Sequence, residues 1–402
     1  MNQFTARQKS LFVVLLAFGM CFMPFTVDPF LASSIFIAKD FGTTIAMLQI
    51  SLTAVTAGNA IGQILAGPLS DSIGRKLPLI VAMALFTLAC VGSAFSLNIY
   101  MFIGFRALMA IASSAAAVVA NGMVRDLASG EDMMKLLSRI FWIQGMAPVF
   151  GPLIGAQLVM RMHWHFIFLI FGAFSAAVCL LMVFTLKETL KISERRDSVF
   201  NGMGKRFLHV LQDRAYVGLL VISSLISIAL FAHLTVSPYV FEGAFGMSTN
   251  TFGWVMTAFS ACWLIGYQIG AKLGLKLPLV TVMVIGISFG VAAGIWLIFS
   301  AQLGLPLVAN EIGIGSMVFA MGVQGAASQT LALTPHGSEA GTAAALMGLI
   351  TAVACTACTG LYTALDTKSM IGVGTVAALS YAICLVTVLF VVLPNLKAKK
   401  LA

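Results

Sequence analysis

GPLSDSIGRKLPL, residues 67–79, is a short polar and basic turn between two apolar runs, and the rest of the chain reads outward from it. Its glycines permit a tight bend and close helix approach, and they leave Asp71 able to meet a base or a helix N-terminus at a membrane surface. Gly74, Lys76, Leu77 and Pro78 return as Gly274, Lys276, Leu277 and Pro278, again between two apolar runs. A repeat of this kind, at the same place in each half, implies an internal duplication. Paired repeats are the architecture by which many membrane carriers alternate access.

The apolar runs on either side set the class. Of 402 residues 60% are hydrophobic and only 9% charged, with a mean hydropathy of +1.02, more than a water-soluble core absorbs. About twenty apolar residues cross a bilayer. Such segments are read at 11–37, 48–69, 77–96, 98–122, 137–160, 164–186, 215–240, 249–271, 277–300, 303–331, 340–364 and 369–394, which predicts an all-α protein of twelve membrane-spanning helices.

Basic residues orient the spans. With both termini in the cytoplasm, that side receives Arg7, Lys9, Arg75, Lys76, Arg125, Lys135, Arg139, the bases from Lys187 to Arg214, Lys272, Lys276, Lys397, Lys399 and Lys400. The other side receives Lys39, Arg161 and Lys368, a division of nineteen to three. This is the positive-inside pattern. It accounts for the net charge of +9 without a nucleic-acid partner.

Residues 187–214, KETLKISERRDSVFNGMGKRFLHVLQDR, follow six spans and precede six. The expected organisation is a bundle over 1–186, a cytoplasmic linker over 187–214 and a second bundle over 215–402. The apolar run that begins near Leu11 continues past any small-residue cleavage site to about Ile37, so it reads as a first span and not as a cleaved leader. The seven cysteines are scattered among the spans, and the CxxC of Cys355 and Cys358 falls inside one; they read as packing residues. His163 and His165 occupy a short external loop with no acid or thiol cluster near them in sequence, so no metal site is expected there.

Asp28, Arg106 and Glu311 are the formal charges read inside long apolar runs. Charges in hydrocarbon are costly and mark ion, proton or substrate sites. Counted from the expected outer ends of spans one, four and ten, each lies roughly 12–15 Å deep at 1.5 Å per residue, so the three can share a layer. Desolvation favours a protonated carboxyl and a nearby base favours the charged one, the balance a proton carrier needs. Arginine stays charged, which leaves Asp28 and then Glu311 as candidate proton carriers and Arg106 as their tuning partner. Softer candidates for a substrate cavity are Asn59, Gln63, Gln144, His233, Tyr239, Asn310, Gln324 and Gln329, among Met and Phe that suit apolar ligands.

Residues 67–79 resemble the loop signature of the major facilitator superfamily, Gly-x-Leu-Ala/Ser-Asp-Arg-x-Gly-Arg-Lys. Gly67, Leu69, Ser70, Asp71, Gly74, Arg75 and Lys76 match, and Ser72 stands where the family usually has Arg. FIGFRALMAIASSAAA, from Phe102, is similar to the superfamily pattern of an embedded Arg followed by small residues, with Arg106 as the Arg and Ala110 where Gly is common. APVFGPLIGA, from Ala147, resembles the antiporter signature Gly-x-x-x-x-Gly-Pro-x-x-Gly-Gly through Gly151, Pro152 and Gly155, with Ala156 replacing the last Gly. VDPFLASS from Val27, SPYVFEGAFGMS from Ser237 and EAGTAAALMG from Glu339 are similar to the Bcr/CflA subfamily of drug:proton antiporters, though Phe30 and Ala32 replace the Tyr and Pro of its Asp-x-Tyr-Leu-Pro.

The resemblance implies a fold of two six-helix bundles with spans one, four, seven and ten around a central cavity. It implies a monomeric transporter of a bacterial inner membrane that exports a small amphipathic compound or drug, with protons as coupling ion and no other cofactor. A carrier of nucleosides or another small metabolite is the alternative within the same subfamily. No nucleotide-binding loop is present, and no cluster of acids, histidines or nucleophiles stands at an interfacial depth, which disfavours ATP-driven transport and a membrane enzyme.

Overall fold

The computed structural model describes residues 6–127, 130–195, 203–333, 335, 340–364 and 369–398. Among them twelve helical segments are long and apolar enough to span a membrane, each close to a segment read from hydropathy. Glu339, Lys368, Lys399, Lys400 and linker positions 196–202 lie outside the described residues.

The chain divides into two compact units, Met1–Asn201 and Gly202–Ala402. In the first, α1 (Ala6–Phe25) and α2 (Asp28–Asp40) together make span one, followed by α3 (Ile45–Ile73), α4 (Lys76–Ala94), α5 (Ile99–Leu127), α6 (Gly130–Arg161) and α7 (His165–Thr185). The second contains α8 (Met203–Leu211), α9 (Arg214–Ser237), α10 (Thr249–Gly274), α11 (Leu279–Gln302), α12 (Leu307–Leu333), α13 (Ala340–Ala364), α14 (Met370–Thr387) and α15 (Leu393–Ala398). The segment read only as a polar linker thus includes a helix, α8, which packs on α9 and α13.

Span one is broken where a continuous helix was read. Pro24 lies in the last turn of α1, Thr26 and Val27 form a turn, and Pro29 sits in the first turn of α2. Proline has no N–H for the helical ladder, and its ring crowds the preceding turn. The Val27 amide closes the break by donating to the Pro24 carbonyl at 2.9 Å. Span seven ends differently, in the π-helical turn Pro238–Ala244.

Among the described residues, each bundle has a crossing at which a glycine pair seats directly on carbonyls. A Cβ on Gly58 would lie 2.5 Å from the Ala107 carbonyl oxygen, and one on Gly62 would collide with that of Ile111, joining α3 to α5. In the second bundle Gly266 and Gly270 of α10 meet the carbonyls of Phe319 and Val323 on α12 in the same way. Small residues of this kind let membrane helices approach backbone to backbone.

Candidate transport site

Asp28 is the first residue of α2, so the break in span one sets its position. Its Oδ2 atom is buried and has no hydrogen-bond partner. The glycines of α6 hold it there: a Cβ on Gly151 would stand 2.9 Å from the Asp28 Cβ, and one on Gly155 would stand 2.5 Å from the Pro29 Cα. Gly151, Pro152 and Gly155 are all buried. The small residues of the antiporter-like segment therefore act as the seat of the Asp28 turn.

Arg106, on α5, is fully buried. The sequence reading made it the tuning partner of the carboxylates, and its contacts are with the residues that flank Asp28. Its Nη1 donates to the carbonyl of Thr26 in the break, and its guanidinium lies 4.1 Å over the ring of Phe30. Nε and Nη2 have no partner. Arg106 thus grips residues on either side of Asp28 without forming an ion pair with it, because a backbone carbonyl freed by the break is within reach. Phe30 is one of the two positions at which the chain departs from the subfamily pattern, so that departure falls on the cation–π partner itself.

Glu311, on α12, is partly exposed in an apolar groove of about 420 Å³ lined by Val255, Phe259 and Cys262 of α10, Phe289 of α11, and Ser316 and Phe319 of α12. The softer candidates separate into two groups. His233 bonds to the Ser237 hydroxyl at 2.9 Å and meets Phe259 edge-on, and the Asn310 carbonyl oxygen accepts from Ser300 at 2.9 Å. These two are used in helix packing. The side-chain carbonyl oxygens of Asn59 and Gln324 are buried and without a partner, and so remain able to meet a ligand. Gln63, Gln144 and Tyr239 are partly exposed, and Gln329 is exposed.

Sequence reading missed Glu242. Its expected span ended at 240, whereas the helical segment runs from Arg214 to Ala244 and carries this carboxylate in its π-helical turn. Both Glu242 oxygens are buried without an aligned hydrogen bond, the Thr249 side chain lying beside them. The clue lay in SPYVFEGAFGMS: the apolar run resumes after Glu242, at Ala244 and Phe245.

At one end of the first bundle, Arg75 is the hub of a charge network. It pairs with Asp71 at 2.6 Å and with Asp126 at 3.1 Å, and donates to the Ser70 hydroxyl at 2.7 Å. Lys76 donates to the Val183 carbonyl at 2.9 Å. Glu188, also missed by the sequence reading, accepts from the backbone N–H groups of Arg75 and Lys76 at 2.8 and 3.1 Å. Gly74 makes this possible with a left-handed φ of 103°, and a Cβ there would stand 2.5 Å from Glu188 Oε2. Gly67 meets only ordinary contact, with Val118.

Two compact helical units, with twelve apolar spans and polar groups buried inside them, define a multi-pass membrane protein built as transporters are. Residues 11–359 match the profile of the Major Facilitator Superfamily, and the chain belongs to it. It is 28% identical over 349 residues to the MFS-type transporter YdgK of Bacillus subtilis (strain 168), covering 86% of this chain and 87% of that one. It is 27% identical over 346 residues to a bicyclomycin resistance protein homolog of Haemophilus influenzae, with the same coverage of each. The fold is similar to that of the xylose transporter XylE from E. coli in a partially occluded inward-open conformation. The TM-score there is 0.73 at 16% identity, over 96% of this chain and 97% of that one.

Proposed function

We propose that the protein is a proton-coupled exporter of a small amphipathic compound, working by alternating access as a monomer in a bacterial inner membrane with both termini in the cytoplasm. The observation that carries the coupling is the buried, unpartnered carboxyl oxygen of Asp28, at a helix break whose flanking residues Thr26 and Phe30 are held by Arg106. A carboxyl without a donor in a membrane interior is stabilised by taking up a proton or by meeting a ligand. Asp28 is assigned the proton, Arg106 the task of holding the Thr26–Phe30 turn in place, and Glu311 a second acidic position on the substrate path. The Arg75 network is assigned to the interconversion of states. Export is favoured over metabolite uptake by the similarity to a protein named for bicyclomycin resistance.

Energetically one inward proton suffices. It supplies about 2.3 kcal/mol per 100 mV and about 1.4 kcal/mol per pH unit, together a gradient of roughly 500-fold for a neutral solute. The test is a thermal-shift screen of amphipathic drugs and nucleosides on the purified protein, followed by transport of each hit in proteoliposomes with and without a pH gradient. Drug counterflow that a pH gradient drives is the expected result. Nucleoside counterflow indifferent to pH would overturn both the substrate class and the coupling.

A further inference from the structure

The face of the first bundle opposite the Arg75 network has a second cluster of polar side chains, assembled from distant parts of the chain. Asp40 ends α2, while His163 and Trp164 lie in the connection from α6 to α7 and His165 opens α7. The histidines alone gave no reason to expect a metal, since no acid is near them in sequence; folding supplies the acid. One ligand atom from each of the three residues lies within 4.8 Å of the others. His163 Nε2 is 3.6 Å from Asp40 Oδ2, and the Nδ1 atoms of the two imidazoles are in direct contact.

We propose that Asp40, His163 and His165 bind one divalent transition-metal ion of the zinc type. The chemistry of the set supports this class. Two imidazole nitrogens and one carboxylate suit Zn²⁺ and its borderline neighbours Ni²⁺ and Cu²⁺, whereas Mg²⁺ and Ca²⁺ require several oxygen ligands. Lys39 and Arg161 line, with Asp40 and His163, a cavity of about 590 Å³, so the field there is not the strongly negative one that selects a hard cation. Ligands bound at about 2.0–2.2 Å to one ion stand about 3–3.5 Å apart. Rotation of the exposed His163 closes the remaining distance, and the open cavity admits water to the other coordination positions.

The site is also built from behind. Trp164 is 2% exposed and packed edge-on against Phe102 and Phe168. From that fixed position its indole N–H donates to Asp40 Oδ2 at 2.9 Å, and its ring stacks on His165 with centroids 3.7 Å apart. One buried side chain therefore orients two of the three ligands, the service that outer-shell partners perform in metal sites. An ion bound here fastens the far end of α2, the helix that Asp28 begins, to the start of α7.

Titration calorimetry of the full-length, tag-free protein in detergent, at one fixed pH, tests the assignment with ZnCl₂, and with MgCl₂ as the hard-cation control. The expected result is one Zn²⁺ per chain, no saturable Mg²⁺ binding, and at least roughly tenfold weaker Zn²⁺ binding in His163→Ala, His165→Ala and Asp40→Asn. Asp40→Asn keeps an acceptor for Trp164, and His163 is exposed, so these two variants fold even where His165→Ala is perturbed. His209→Ala, in α8, should bind as the wild type does. Failure of the wild-type protein to bind Zn²⁺, or unchanged affinity in both His163→Ala and Asp40→Asn, would overturn the proposal.

Discussion

Arg106 and Thr26 are joined by a hydrogen bond from guanidinium to backbone carbonyl, so the arginine holds the chain two residues before Asp28 and leaves the carboxylate's Oδ2 without a donor. The charge of Arg106 is thereby spent on geometry. Its effect on Asp28 passes through the turn that Thr26, Val27 and Pro29 form.

Arg106→Ala should therefore lower stability by about 1–3 kcal/mol, the cost of a buried carbonyl that loses its donor, and should weaken transport strongly. Arg106→Lys keeps the charge but not the planar fork, and its transport should fall between the two. Denaturation in matched detergent and proteoliposome uptake measure both. Wild-type stability in Arg106→Ala would remove the clamp role.

Asp28→Asn should abolish pH-driven export while leaving insertion and thermal stability close to wild type, because it removes the titratable group and keeps its size. Counterflow of substrate without a pH gradient should survive in this variant. Glu311→Gln should weaken coupling or narrow the preference for substrate charge. Full pH-driven export by Asp28→Asn would show that the proton travels elsewhere, with Glu242 the next carboxylate to examine.

Phe30→Tyr should retain most transport, since a phenol ring offers the same π-face to Arg106, whereas Phe30→Leu should lose about 0.5–2 kcal/mol of stability with the cation–π contact. Equal behaviour of the two variants in a melting experiment would count against that contact.

Gly155→Ala should destabilise the first bundle by about 1–3 kcal/mol or more, because the atom its Cβ meets is backbone of Pro29 and cannot rotate away. Gly104→Ala, with nothing within 4 Å of the added carbon, is the matched control and should be neutral or better. Melting curves that do not separate the two would refute the seat assigned to the Asp28 turn.

Glu188 gives the network a pH dependence. Partial burial pushes its carboxyl up, but the N–H groups of Arg75, Leu190, Lys76 and Thr189 together outweigh this and hold it below the ordinary value of 4.5. A depressed carboxyl stabilises the fold above its unfolded value, and that contribution fades as pH falls through the folded one. Stability of the wild type should thus drop below about pH 4.5 more steeply than that of Glu188→Gln, which starts lower at neutral pH. Parallel melting profiles across the acidic range would contradict it.

The spans were legible because hydropathy over twenty residues is a property of composition, and the loop of 67–79 was legible because turn chemistry is local. What escaped depended on partners remote in sequence or on the backbone. The Thr26 carbonyl that takes Arg106 carries no sequence signal. Asp40 is brought to His163 only by folding, and Glu188 reaches Arg75 across the length of four spans. Glu242 was lost to a boundary drawn at 240, because a π-helical turn extends the span past the point where hydropathy alone would stop it.

The glycine seats at the two crossings bear on heredity. Gly58 and Gly62 rest on Ala107 and Ile111, and Gly266 and Gly270 rest on Phe319 and Val323. Both pairs are spaced by one helical turn, yet the second is displaced by 208 positions where the loop echo from Gly74 to Gly274 is displaced by 200. The two halves thus share a rule of assembly whose register differs by two turns. Saturation mutagenesis would make the kinship visible without coordinates, as two matching pairs of positions intolerant of even one added carbon, eight residues out of step with the loops they serve.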